Sequence, residues 1–76
     1  MPDKRDYWTQ RRPDGKWESK REGASRASAV TETQAEAWEK SKDFARDRSG
    51  EAYLKGRDGL IRERNTYGHD PENSKG

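Results

Sequence analysis

The sequence predicts one small α+β domain ordered β-β-α-β-β. Two antiparallel hairpins form a small sheet, and a single helix packs on one of its faces. Three observations predict this. Residues 31–48 have amphipathic helical spacing, with Ala37, Trp38, Ser41, Phe44 and Ala45 on one face and the glutamates and lysines on the other. Arg12-Pro13-Asp14-Gly15 is a strong turn ahead of that stretch, and Gly56-Arg57-Asp58-Gly59 is a second turn behind it. Each turn is flanked by short β-prone runs, the layout of two hairpins around one helix.

Taken in order, residues 1–6 read as a polar lead and residues 7–68 as the domain; residues 69–76 read as a flexible tail. Residues 7–11 form the first strand, and the turn returns the chain into a second at residues 16–21, where Trp17 points opposite to Lys16, Glu18 and Lys20. The hairpin register is open. A four-residue loop places Trp8 on the face of Trp17, and a three-residue loop with a glycine bulge places Tyr7 there. Trp8 is preferred inside because two tryptophans on one face give the larger apolar area.

Residues 22–30 are rich in small side chains and read as a connector to the helix. Thr31 and Gln34 have capping-box spacing, Val30 is placed to act as a hydrophobic staple on Ala35, and Gly50 sits where a left-handed residue ends a helix. Residues 51–55 and 60–64 form the last two strands, with Leu54 and Ile61 inward. The core expected from this phasing is Trp8, Trp17, Val30, Ala35, Trp38, Ala45, Leu54 and Ile61, with Phe44 at its margin. Strand order and oligomeric state do not follow from the sequence.

Composition narrows the function classes. Charged residues make up 42% of the 76-residue chain and mean hydropathy is −1.71, the composition of a disordered segment. Three tryptophans, two turns and a capped amphipathic stretch all agree on one layout and outweigh that reading. Only 11 large apolar side chains remain once alanine and Met1 are set aside, so the core is thin and the fold marginal or partner-assisted. The absence of cysteine excludes disulfides and thiolate metal sites and fits a reducing, cytoplasmic setting. No apolar run reaches the length of a membrane span.

Catalysis needs convergent groups, and the chain offers few. His69 is the only histidine and stands beside Asp70 in the expected tail, while Asp43 and Asp47 lie among Lys42 and Arg46 on a solvated helix face. The expectation is therefore a non-enzymatic binding module without metal, cofactor or membrane. A sheet covered by one helix leaves its second face open. The strand phasing assigns to that face Tyr7, Arg11, Lys16, Lys20, Tyr53, Lys55, Arg62 and Arg64. A protein partner or a second copy of the chain is the first expectation, from the thin core and the free edges of a small sheet. Nucleic-acid binding is the alternative, since basic side chains interleaved with tyrosines suit a phosphate backbone and its bases. The net charge of +2 makes any such field local.

Finally, the chain resembles a family of small bacterial and phage proteins, domain of unknown function 2188. The resemblance rests on Asp14-Gly15-Lys16-Trp17, Lys20-Arg21-Glu22-Gly23-Ala24 with Arg26-Ala27-Ser28, and Thr33-Gln34-Ala35-Glu36-Ala37. It continues through Gly56-Arg57-Asp58-Gly59-Leu60-Ile61-Arg62-Glu63-Arg64 and Tyr67-Gly68-His69-Asp70-Pro71 to Lys75-Gly76. Ser19, where a valine-like residue is usual, and Glu18, where a small one is, depart from the pattern. The resemblance implies a hairpin–helix–hairpin layout and no activity.

Overall fold

The computed structural model describes residues 5–67. In chain order the elements are β1 (Tyr7–Arg11), β2 (Trp17–Arg21), β3 (Ala29–Thr31), α1 (Gln34–Arg48), β4 (Glu51–Lys55) and β5 (Ile61–Thr66). They form an α+β fold, with α1 packed on a five-stranded sheet of order β3-β2-β1-β4-β5. The two expected hairpins are present, and they join through their first strands: β1 and β4 run parallel at the centre, Trp8 beside Tyr53. The sheet is therefore mixed. A parallel neighbour needs a long crossover, and β3 with α1 supplies it. The strand β3 was expected to be connector and cap. Val30 and Thr31 are β-branched, and they extend the sheet by pairing with Glu18 and Trp17.

The first turn closes as its residues demand. The Gly15 amide donates to the Arg12 carbonyl at 3.0 Å, and Gly15 takes a φ of 90°. The Lys16 amide donates to the Asp14 carboxylate at 2.9 Å, which holds that carboxyl below its ordinary range. The connection spans Arg12 to Lys16 and pairs Arg11 with Trp17. This register puts Tyr7 and Thr9 on the helix side with Trp17 and Ser19, and turns Trp8 and Gln10 to the other face. The preference for Trp8 inside is thus corrected. Strand parity couples Trp8 to Gln10 and Tyr7 to Thr9. Burying the first pair would put a long primary amide in the core, whereas the second buries one short hydroxyl.

The helix begins two residues later than the sequence spacing suggested. Thr33 is the N-cap, its hydroxyl accepting from the Glu36 amide at 3.2 Å, while Thr31 belongs to β3 and donates to the Thr33 carbonyl. Glu36 in the first turn and Arg46 and Arg48 in the last complement the helix dipole. At the far end the left-handed residue is Ser49 (φ 57°), not Gly50. Gly50 answers a different need: a Cβ there would lie 2.0 Å from the Arg5 carbonyl oxygen.

The interior is built from small side chains. Ala37, Ser41 and Ala45, one turn apart, are fully buried on α1 and face Thr9 and Ser19, which are also fully buried. A chain of hydroxyls crosses this interface: Thr9 donates to Ser41 at 2.6 Å, and Ser41 donates to Ser19 at 2.7 Å. Each buried hydroxyl is thereby satisfied. Large apolar groups frame this centre. Tyr7 packs on Phe44 with ring centroids 5.1 Å apart and belongs with Ala45 and Ala52 to the core, against which Trp38, Phe44 and Tyr67 are partly buried. Trp17 and Leu54 are buried as expected.

Besides Trp8, three expected core residues stand outside. Ala35 is exposed, Val30 keeps 48% of its surface and Ile61 54%. Val30 pairs with Glu18 and Ile61 with Lys55, so both stand on the sheet face that α1 leaves uncovered and have no second layer to enter. The expected lead is partly structural. Asp6 is buried, its backbone carbonyl accepting from the Glu22 amide and its carboxylate from the Glu51 amide. Positions 1–4 and 68–76, with His69 and the expected tail, lie outside the described residues.

Candidate functional site

The sheet face opposite α1 carries the side chains of alternating phase. These are Val30 on β3, Glu18 and Lys20 on β2, Trp8 and Gln10 on β1, Glu51, Tyr53 and Lys55 on β4, and Ile61, Arg64 and Thr66 on β5. The parallel register sets Trp8 beside Tyr53, and their rings stack with centroids 4.2 Å apart and planes 18° from parallel. Both polar ends are tied down. The Trp8 indole N–H donates to Glu22 Oε1 at 2.6 Å, and the Tyr53 hydroxyl donates to Glu51 Oε1 at 2.6 Å. The bond to Glu51, with some burial, pushes the Tyr53 phenol up to about 12 from an ordinary 10.0. Lys55 Nζ sits 5.0 Å from the centre of the Trp8 ring, a cation–π contact. The result is a fixed aromatic ridge standing on an uncovered sheet face.

Charge on this face is uneven. Glu18 is matched by Arg12 at 3.0 Å and by the Gln10 amide, and Glu51 lies 4.0 Å from Arg64. The surplus collects at one end, where Lys20 and Lys55 of this face line a cleft beside Trp8 with a single carboxylate, Glu22, and Arg21, in the phase of Trp17, borders it from the strand end.

Four of the eight residues assigned to this face from the sequence are brought together on it: Lys20, Tyr53, Lys55 and Arg64. The other four are placed elsewhere. Tyr7 is 3% exposed beneath the helix. Arg11 shares the phase of Trp17, on the helix side at a strand end. Lys16 lies in the turn and pairs with Glu32 at 3.2 Å. Arg62 is the extra residue where the β4–β5 register shifts, and it pairs with Asp58 at 2.7 Å. Sequence reasoning missed Trp8 and Glu22. The available signal was parity: if Thr9 is the residue to bury, its neighbour Trp8 must face out.

Among the described residues, no group of three or more His, Cys, Asp or Glu side chains is placed to hold a metal ion. No described helix is long and apolar enough to cross a membrane.

Comparison with known families places the chain. The family described as "Uncharacterized protein conserved in bacteria (DUF2188)" matches residues 7–67, from the first residue of β1 to the residue after β5. The chain belongs to this family. No curated protein matches it, and no solved structure matches it.

Proposed function

We propose, taking membership of that uncharacterised bacterial family as the premise, that the protein is a non-enzymatic binding module of the cytoplasm. In this reading the open sheet face is the working surface and another protein is the partner. The observation that carries the reading is the stacked Trp8–Tyr53 pair, pinned by Glu22 and Glu51 on the face that α1 leaves uncovered. Rigid aromatic side chains that have already lost their rotamer freedom are the anchors protein interfaces favour. The sheet edges favour the face as well. Strand β3 is only 3 residues long, and β5 carries a register shift and the charged run Arg62-Glu63-Arg64, devices that discourage strand addition.

Nucleic-acid binding is the second reading, favoured by Lys20, Lys55 and Arg64 around the two rings. Two features weigh against it. The surplus positive charge sits at one end and does not run along a track, and the Trp8 ring already engages Tyr53 and Lys55.

The test is site-specific photo-crosslinking in a bacterial cell, with a benzophenone side chain at Thr66 on the open face and a control at Arg46 on the exposed helix face. The expected result is one discrete protein adduct at Thr66, absent at Arg46, lost with Trp8→Ala and re-formed from the purified pair. An adduct removed by nuclease, together with a salt-sensitive gel shift abolished by Lys20→Glu with Lys55→Glu, would replace this reading with the second. No adduct, or the same adducts at both positions, would overturn it.

A further inference from the structure

The cleft at the charged end of the open face has a chemistry of its own. It is an open cleft of about 250 Å³ lined by Trp8, Gln10, Lys20, Arg21, Glu22 and Lys55. That is below the roughly 300–1,000 Å³ of sites that enclose whole small molecules, so it suits a group carried on a larger ligand. Three cations and one carboxylate give it a formal charge of +2. The carboxylate is occupied, since Glu22 Oε1 accepts the Trp8 indole N–H. Lys20 and Arg21 form no ion pair or hydrogen bond through their side chains among the described residues. Lys55 lies over the Trp8 ring and keeps its charge at the cleft wall. Most other cations near this face are matched: Arg12 by Glu18 and Asp14, Arg62 by Asp58, and Arg64 more loosely by Glu51.

We infer that this cleft is a phosphoryl-binding site, receiving a phosphorylated side chain of the partner protein. The inference rests on the reading of the open face as a protein-binding surface and specifies what the partner presents. A phosphomonoester carries a charge of about −1.5 to −2 at neutral pH, which offsets the cleft's formal charge; one carboxylate or one phosphodiester offsets only half of it. Lys20 and Lys55 supply ammonium donors from the open face, and Arg21, in the phase of Trp17, adds its charge from the strand end. The Trp8 indole N–H lies at the wall, so it reports on occupancy directly.

The experiment is a nitrogen–proton correlation titration of the intact, labelled protein. The probes are a phosphoserine peptide, its unphosphorylated and glutamate forms, inorganic phosphate, and an oligonucleotide, with chloride added to matched ionic strength. The phosphoserine peptide and inorganic phosphate are expected to shift the Trp8 indole signal and the Lys20, Arg21 and Ala24 amides saturably. Chloride and the unphosphorylated peptide are expected to leave them in place, and the glutamate form to bind more weakly than the phosphoserine form. Affinity should fall as pH is lowered through about 6, where the phosphate loses its second charge. Lys20→Gln should weaken binding roughly ten-fold, the worth of one charge-assisted hydrogen bond, Arg21→Gln by a smaller factor through the loss of its charge, and Lys40→Gln on the helix should not.

No saturable shift at the cleft, equal shifts with chloride, or indifference to Lys20→Gln and Arg21→Gln would overturn the inference. So would preferred binding of the oligonucleotide with a salt dependence of several released counterions, the mark of a phosphodiester track. The probes need no knowledge of the partner. Failure here with a Trp8-dependent protein adduct still present therefore removes the phosphoryl site alone, and loss of the adduct with phosphate still bound removes the protein-partner reading alone.

Discussion

The two faces of the sheet invert the usual division of labour. The covered face is made at its centre of Thr9, Ser19, Ser41, Ala37 and Ala45, all small and fully buried. The open face carries the stacked pair of large rings, Trp8 and Tyr53. Small side chains let α1 lie close to β1, β2 and β4, and the hydroxyl chain then satisfies what that approach buries. With so little apolar material in the chain, two of its seven aromatic residues are spent where no second layer covers them. Large aromatics left at a surface and fixed there by hydrogen bonds are better explained by recognition than by stability.

Neighbouring residues on opposite faces give the sharpest way to break this contrast. Tyr7→Ala should cost about 3–5 kcal/mol, the range for truncating a core aromatic, and leave a chain with so thin a core without a cooperative melt. Trp8→Ala, one residue along, should cost only about 0.5–1.5 kcal/mol, the worth of an aromatic pair, and keep the melt cooperative. Comparable losses from the two substitutions, read by thermal denaturation, would erase the distinction between the faces.

The covered face can be probed at its hydroxyls. Ser41→Ala removes the middle of the chain and leaves Thr9 and Ser19 short of a partner, at an expected cost of about 1–3 kcal/mol by chemical denaturation. Thr9→Val with Ser19→Ala and Ser41→Ala should recover most of that loss, because replacing every partner leaves nothing unpaired. A triple variant weaker than the single one would show that the hydroxyls contribute more than mutual satisfaction.

The smallest effect concerns the open face. The phenol of Tyr53 is held at about 12 against an ordinary 10.0, so the protonated form is the one the fold favours. Its contribution is full below pH 10 and is lost as pH rises through about 12. The stability difference between wild type and Tyr53→Phe should shrink over that window and stay constant below it. A difference independent of pH would mean that the bond to Glu51 does not persist in solution.

Much of the fold was legible in the sequence because local signals and tertiary structure agree. The turn at Asp14-Gly15, the amphipathic stripe through Ala37, Ser41 and Ala45, and the inward Trp17 and Leu54 all stand where spacing placed them. What failed depended on long-range pairing. Ala29–Thr31 is too short to announce a strand and is held by β2. The parallel contact of β1 with β4 has no local signature at all. The error at Trp8 came from weighing apolar area residue by residue. In a strand of period two the whole set moves together, and Thr9 with Ser19 decides the phase. Ser19, one of the two departures from the pattern of the resemblance, is the last member of the hydroxyl chain. The same parity placed Tyr7 among the face residues when it belongs to the core, and half of the candidate surface was misassigned with Arg11, Lys16 and Arg62.

The most direct test of the open face as the working surface is the yield of the Thr66 photo-adduct in Trp8→Ala relative to wild type, taken on protein whose cooperative melt is recorded alongside. The account predicts a folded variant that has lost its adduct. A folded variant that keeps the adduct, or one that no longer melts cooperatively, would contradict it.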